Sequence, residues 1–301
     1  MPALLDRIFQ QEDINFVLTN RIPRRALTRA VGWFSRIERP MVRDLSIAVW
    51  KLFAGDLSLH EAHKTSFTSL HDCFVRGLKD GVRPIDAALD VLVSPCDGIV
   101  AGCGTITAGQ LLQAKGSVYA LGDLVADDTF AARFLGGQYV TLRLTSAMYH
   151  RFHAPADCEV REATYISGDT WNVNPIALKR IARLYCKNER AVVPLQLASG
   201  PQIALVAVAA ILVASIQLHF LEVPLTLTYR GPNRLACRAS FRKGDELGYF
   251  HHGSTIIVIA PPGLEACADV REGQRILMGR PLFRHRTATA CPPCQATPSS
   301  A

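Results

Sequence analysis

Apolar residues recur at helical spacing in the first quarter of the chain and at strand spacing through most of the rest. Over residues 24–38, Leu27, Ala30, Val31, Phe34 and Ile37 fall on one side of a helix, with Trp33 beside them and arginines flanking the stripe. Pro40 interrupts the pattern. Residues 41–54 resume it with Leu45, Ile47, Ala48, Val49, Trp50, Leu52 and Phe53. A third helix is expected from Ser58 to Phe74, with Ser58 as its cap.

From about residue 84 the texture changes. Short β-branched runs alternate with Gly, Pro and Asp turns: Val91-Leu92-Val93, Gly98-Ile99-Val100, residues 139–144, Ala191-Val192-Val193 and residues 225–229. Such spacing predicts packed antiparallel sheets. The longest apolar run, residues 203–216, falls short of the roughly 20 residues a spanning helix needs, and its Val and Ile content predicts a buried strand. One helix is expected over Pro175 to Leu184. Residues 287–301 are small and polar and should be disordered. The fold class expected is therefore α+β, with N-terminal amphipathic helices followed by a β-rich domain. The division is 1–80 helical, 81–286 β-rich, and 287–301 tail.

Charge adds a partner to this picture. The 301-residue chain carries a formal +7, and residues 21–51 account for +6 of it. There Arg21, Arg24, Arg25, Arg29, Arg36, Arg39, Arg43 and Lys51 face only Glu38 and Asp44. An anionic surface should meet this region; on charge alone, a membrane and a nucleic acid both qualify. Aromatic–basic RNA motifs are missing, which counts against nucleic acid. Acidic residues among the first twenty argue against a transit peptide, and no secretory signal is visible. Nine scattered cysteines, an odd number without framework spacing, read as reduced thiols. Cys291 and Cys294 form a C-x-x-C pair in the tail with no second pair nearby, so no metal site is expected there.

Three short segments carry the candidate chemistry. Gly253-Ser254-Thr255 places a hydroxyl after a glycine and before the strand-like run Ile256 to Ala260. Alone it is an ordinary turn into a strand. Ser94-Pro95-Cys96-Asp97-Gly98 supplies a carboxylate, which also suits an Asx turn. Tyr149-His150-Arg151-Phe152-His153-Ala154-Pro155 supplies two imidazoles. A serine, an imidazole and a carboxylate together can activate a hydroxyl.

In these motifs the chain resembles the phosphatidylserine decarboxylases, in their bacterial, membrane-associated form. Matching stretches also include Phe74-Val75-Arg76, Val82-Arg83-Pro84-Ile85-Asp86, residues 112–116, Asn188-Glu189-Arg190 and Met278-Gly279, so the likeness runs from about residue 20 to about 284. The resemblance implies a proenzyme that cuts itself. Ser254 would attack the Gly253 carbonyl, giving a large subunit of residues 1–253 and a small one of 254–301. Ser254 would end as a pyruvoyl group, the covalent cofactor that condenses with the substrate amine. His153 would be the base for Ser254, Asp97 would orient His153, and His150 would serve decarboxylation or reprotonation. Phosphatidylserine would be converted to phosphatidylethanolamine at the cytoplasmic side of the cell membrane, with the protein bound peripherally to its anionic surface. A homodimer stays open. Two positions depart from the family pattern: His252 replaces an aliphatic residue before Gly253, and Cys96 replaces alanine. His251 has no matching role and reads as a surface or strand-edge residue. Lys115 is either a solvated charge or a contact for the headgroup phosphodiester. Two alternatives remain: a pyruvoyl decarboxylase of a soluble amino acid, and a non-enzymatic basic membrane-binding β-domain.

Overall fold

The computed structural model of the chain describes residues 23–113, 117–211, 215–251 and 254–286. Three helices open the described chain: α1 (Arg24–Phe34), α2 (Pro40–Ala54) and α3 (Leu70–Phe74). Pro40 starts α2 at a position where a missing N–H costs nothing, and Gly55 ends it at φ 78°, which glycine tolerates. The single helix expected over 58–74 does not form. Ser58 sits in a left-handed conformation without capping anything, a short 3-10 turn covers Leu59–Glu61, and Ser69 caps α3 by accepting from the Asp72 amide at 3.1 Å. The run Thr65-Ser66-Phe67-Thr68-Ser69 explains the break, because hydroxyl and β-branched side chains compete with helical bonding.

Strands follow: β1 (Val91–Val93), β2 (Gly98–Thr105), β3 (Gln110–Gln113) and β4 (Ser117–Ala120), then helices α4 (Leu121–Val125) and α5 (Asp128–Ala132). Next come β5 (Gln138–Leu144), β6 (Arg151–His153) and β7 (Cys158–Ile166), with helices α6 (Pro175–Arg180) and α7 (Leu184–Lys187). The helix expected over 175–184 is thus two pieces, parted where Arg183 takes φ 54°. The chain continues through β8 (Arg190–Leu197), β9 (Gln202–Ala209), β10 (Ser215–Leu218), β11 (Leu225–Thr226), β12 (Arg234–Phe241) and β13 (Glu246–Phe250). The last strands are β14 (Ser254–Ala260), β15 (Leu264–Ala266), β16 (Arg275–Ile276) and β17 (Pro281–His285). The tail 287–301, with Cys291 and Cys294, lies outside the described residues.

An eight-stranded antiparallel sheet in the order β12-β7-β8-β9-β14-β5-β2-β16 forms the centre. The smaller sheets β11-β10-β13-β6 and β1-β17-β15 cover one face; α4 to α7 cover the other. The α+β expectation holds. Strand β14 lies in the middle and is buried throughout. Ile256, Val258 and Ala260 enter the core under the small sheets, while Ile257 and Ile259 enter the core under the helices. A strand buried on both faces has no reason to alternate apolar with polar, hence its unbroken run. The apolar stretch 203–216 splits: β9 belongs to the large sheet, and Ser215 and Ile216 begin β10 in the four-stranded one.

Candidate active site

Ser254 begins β14, flanked in register by Leu144 of β5 and Ala209 of β9. It is fully buried, and its Oγ has no hydrogen-bond partner among the described residues. A buried hydroxyl without a partner costs stability, and it leaves the oxygen unengaged. Gly253 and His252 lie outside the described residues.

His150 is held beside the end of β13, where the Phe250 amide donates to its carbonyl at 3.0 Å. Its Nδ1 lies 2.8 Å from the Met148 carbonyl. A carbonyl only accepts, so Nδ1 carries the proton and Nε2 carries a lone pair. That Nε2 is buried and has no partner among the described residues. Burial pushes the imidazole down to about 3; the Met148 bond opposes this and Arg76 reinforces it. Phe74 covers the ring at 4.1 Å between centroids. His150 is thus a neutral base with one open nitrogen.

His153, on β6, pairs with Glu246 and so sits farther than His150 from the end of β13 along the same ladder. Both of its nitrogens are used. Nδ1 donates to the Gly244 carbonyl at 2.8 Å, and Nε2 accepts from the Tyr149 hydroxyl at 3.0 Å. Burial lowers its pKa, partly offset by the Gly244 bond. Asp97 does not hydrogen-bond His153 in this structure. Its carboxylate accepts from Arg83 Nε at 3.0 and 3.2 Å, from Arg83 Nη2 at 2.7 Å and from the Met278 amide at 2.9 Å. A fully buried carboxylate needs a cation in fork geometry, and Arg83 supplies it, so a backbone carbonyl orients His153 instead. Burial alone would lower the Arg83 pKa; the bonds to Asp97 and Glu61 outweigh it.

His251 is not at the surface. It is buried, and its Nδ1 lies 2.6 Å from His71 Nε2 with the rings stacked. Burial, with Arg36 nearby, pushes His71 down to about 4; burial, His71 and Arg36 push His251 down to about 3. Both are neutral imidazoles, braced just past the end of β13. Lys115 lies outside the described residues.

Glu189, in the matching stretch Asn188-Glu189-Arg190, is fully buried, and Tyr165 is the described side chain that acts on its carboxylate most closely. The Ala209 amide donates to its carbonyl at 2.9 Å, so Glu189, Ala209, Ser254 and Leu144 make one row across the sheet. Burial pushes its carboxyl up to about 8 from 4.5, against the opposing influence of Tyr165 and Arg25. Between these values the unfolded chain releases a proton that the folded one keeps. Folded-state stability therefore falls by about 1.4 kcal/mol per pH unit as pH rises through this window. Glu189→Gln should flatten that slope in urea unfolding series from pH 5 to 8. Parallel profiles for the two proteins would show that Glu189 does not hold its proton.

A cavity of about 800 Å³ opens above Ser254. Its walls are Val31 and Phe34 of α1, Leu45, Val49 and Trp50 of α2, and Phe74 of α3, with Ser254 and Arg143 at the strand ends. The size and apolar walls suit a hydrophobic ligand. The family model described as phosphatidylserine decarboxylase matches residues 70–284. The chain belongs to the phosphatidylserine decarboxylase family. It is 32% identical to the phosphatidylserine decarboxylase proenzyme of Hahella chejuensis over 286 residues, covering 90% of this chain and 94% of the relative. The Myxococcus xanthus proenzyme is 36% identical over 265 residues, covering 85% and 94%. The Brevibacillus brevis proenzyme is 32% identical over 270 residues, covering 88% and 95%. Within this family member, sequence reasoning singled out Ser254, His150, His153 and Asp97 but assigned no role to Arg83, Tyr149 or Glu189. The signal for Arg83 was the motif around Asp97, since a buried carboxylate demands a cation.

Proposed function

We propose that this protein is a pyruvoyl-dependent phosphatidylserine decarboxylase that forms its own prosthetic group by cleavage between Gly253 and Ser254. The observation that carries the reading is the buried, unpartnered Ser254 Oγ at the floor of an apolar cavity walled by the amphipathic helices. Ser254 attacks the Gly253 carbonyl to form an ester. Elimination then leaves dehydroalanine on the 254–301 piece, which hydrolyses to the pyruvoyl group with loss of ammonia. When present, that group supplies an electrophilic ketone, which takes the substrate amine and accepts the electrons freed by carbon dioxide. His153 accepts the Ser254 proton after giving up its bond to Tyr149, and Asp97 with Arg83 keeps that corner rigid. His150 Nε2 serves the later proton transfer. One observation favours a second reading: the open nitrogen of His150 lies nearer the end of β13, which suits it to be the base for cleavage as well.

The cavity favours a lipid over a free amino acid, which would leave most of 800 Å³ unfilled. Intact mass analysis and carbon dioxide release test this. Two pieces split before Ser254, with release from phosphatidylserine and not from free serine, are expected. A single full-length mass in active protein would overturn the reading.

Membrane contact is proposed through α1 and α2. Trp33 is 71% exposed, Met41 85%, Leu45 67% and Leu52 77%, an apolar display on helices that also carry arginines. Among the described residues, no helix is long and apolar enough to cross a membrane. Basic residues near an anionic leaflet contribute about 1 kcal/mol each, a part that salt removes, while the apolar contact persists. Vesicles with anionic lipid should sediment the protein better than neutral ones, with partial loss at high salt. Undiminished sedimentation after Met41→Asp and Leu52→Asp would place the contact elsewhere.

A further inference from the structure

Among the described residues that line the cavity, Arg143 is the charged one, and the cleavage chemistry does not use it. It shares a largely apolar space with Ser254. Burial lowers its pKa, and Tyr185 is the described group that opposes this. A cation in such surroundings is costly unless an anion meets it. Two more polar groups stand behind it. Thr255, directly opposite Arg143 in the β5–β14 register, is fully buried. Tyr185, on α7, interacts electrostatically with Arg143, and its buried hydroxyl faces that of Thr255 closely enough for the two to influence each other as hydrogen-bond partners. A guanidinium and two facing hydroxyls thus gather at the position that follows Ser254.

We propose that Arg143, backed by the Thr255 and Tyr185 hydroxyls, is the receptor for the phosphodiester of the lipid substrate. This rests on the decarboxylase reading above. In phosphatidylserine, four bonds separate the reacting amine nitrogen from phosphorus, about 5 Å at ordinary bond lengths. Arg143 stands opposite Thr255, the neighbour of Ser254, so its side chain leaves the sheet on the other face from Ser254, and the two residues share the cavity at the strand ends, where the long arginine stem gives it reach. The substrate also carries a carboxylate, but a fork of charge-assisted bonds on that group would stabilise the ground state and oppose its departure as carbon dioxide. The phosphodiester keeps its charge throughout, so holding it fixes the headgroup without slowing the chemistry. The guanidinium fork matches two phosphate oxygens, which an ammonium does not.

The test uses the full-length, self-cleaved protein and two short, monomeric probes. Dihexanoylphosphatidylcholine has the phosphodiester but neither a primary amine nor a carboxylate; dihexanoylglycerol lacks the phosphodiester. By calorimetry, wild type should bind the first at least about tenfold more tightly than the second, and Arg143→Gln should abolish that preference while leaving dihexanoylglycerol unaffected. With phosphatidylserine, Arg143→Gln should raise KM by a similar factor and change kcat less. Arg143→Lys should fall between. Tyr185→Phe should weaken the phosphodiester probe alone, and these last two variants carry the test if Arg143→Gln does not fold. Equal weakening of both probes would mean that Arg143 only shapes the cavity and would overturn the proposal, as would unchanged phosphodiester binding. A wild type that shows Arg143-dependent phosphodiester binding but releases no carbon dioxide would support this site and refute the decarboxylase reading instead.

Discussion

Ser254→Ala is expected to leave a single uncut chain of 301 residues with no carbon dioxide release from phosphatidylserine above background. The substitution removes one oxygen that makes no hydrogen bond among the described residues, so the fold should survive. Deleting an unsatisfied buried hydroxyl is neutral or slightly stabilising, because the cost of its desolvation disappears. Loss of function with retained or raised stability is the signature sought. Circular dichroism melts and intact mass on the same preparation separate the two. Cleavage in Ser254→Ala would remove Ser254 as the nucleophile and with it the origin of the ketone.

The two histidines should fail at different stages. His153→Ala should slow cleavage by about 10²–10⁴-fold, the usual contribution of a positioned base. His150→Ala should still cleave and then lose decarboxylation by a comparable factor. Tyr149→Phe separates His153 from its present partner and should not slow cleavage, since the Tyr149 hydroxyl occupies the nitrogen that must take the proton. Gels timed from synthesis and carbon dioxide assays on cleaved protein read the two stages independently. If His150→Ala blocks cleavage while His153→Ala does not, the base is the imidazole whose Nε2 is already open.

Much of the site could be read from the chain because its motifs are local. Ser254 stands out where a glycine meets an unbroken β-branched run, and that run became the central strand because every position in it is buried. The amphipathic stripe of α1 and the Pro40 start of α2 were equally legible, being set by spacing and by one ring closure. Partner choice was not legible. Asp97 and His153 share no bond because Arg83, outside both quoted motifs, takes the carboxylate in fork geometry. The stretch 58–74 has helical spacing, but its hydroxyl residues and tertiary contacts broke it. His251 gave no sign of burial, since nothing in its neighbourhood announces that His71 will stack on it.

The sequence by itself determined which atoms are available for chemistry, which strands are buried on both faces, and where the positive charge gathers. These follow from residue type and short-range periodicity, which act over a turn or a strand. Only the tertiary structure decided which nitrogen is open, which carboxylate is spoken for, and which groups lack a partner among the described residues, Ser254 Oγ, His150 Nε2 and the Glu189 carboxyl included. Those properties depend on desolvation and on competition among donors and acceptors brought together from distant segments, and neither has a local signature along the chain.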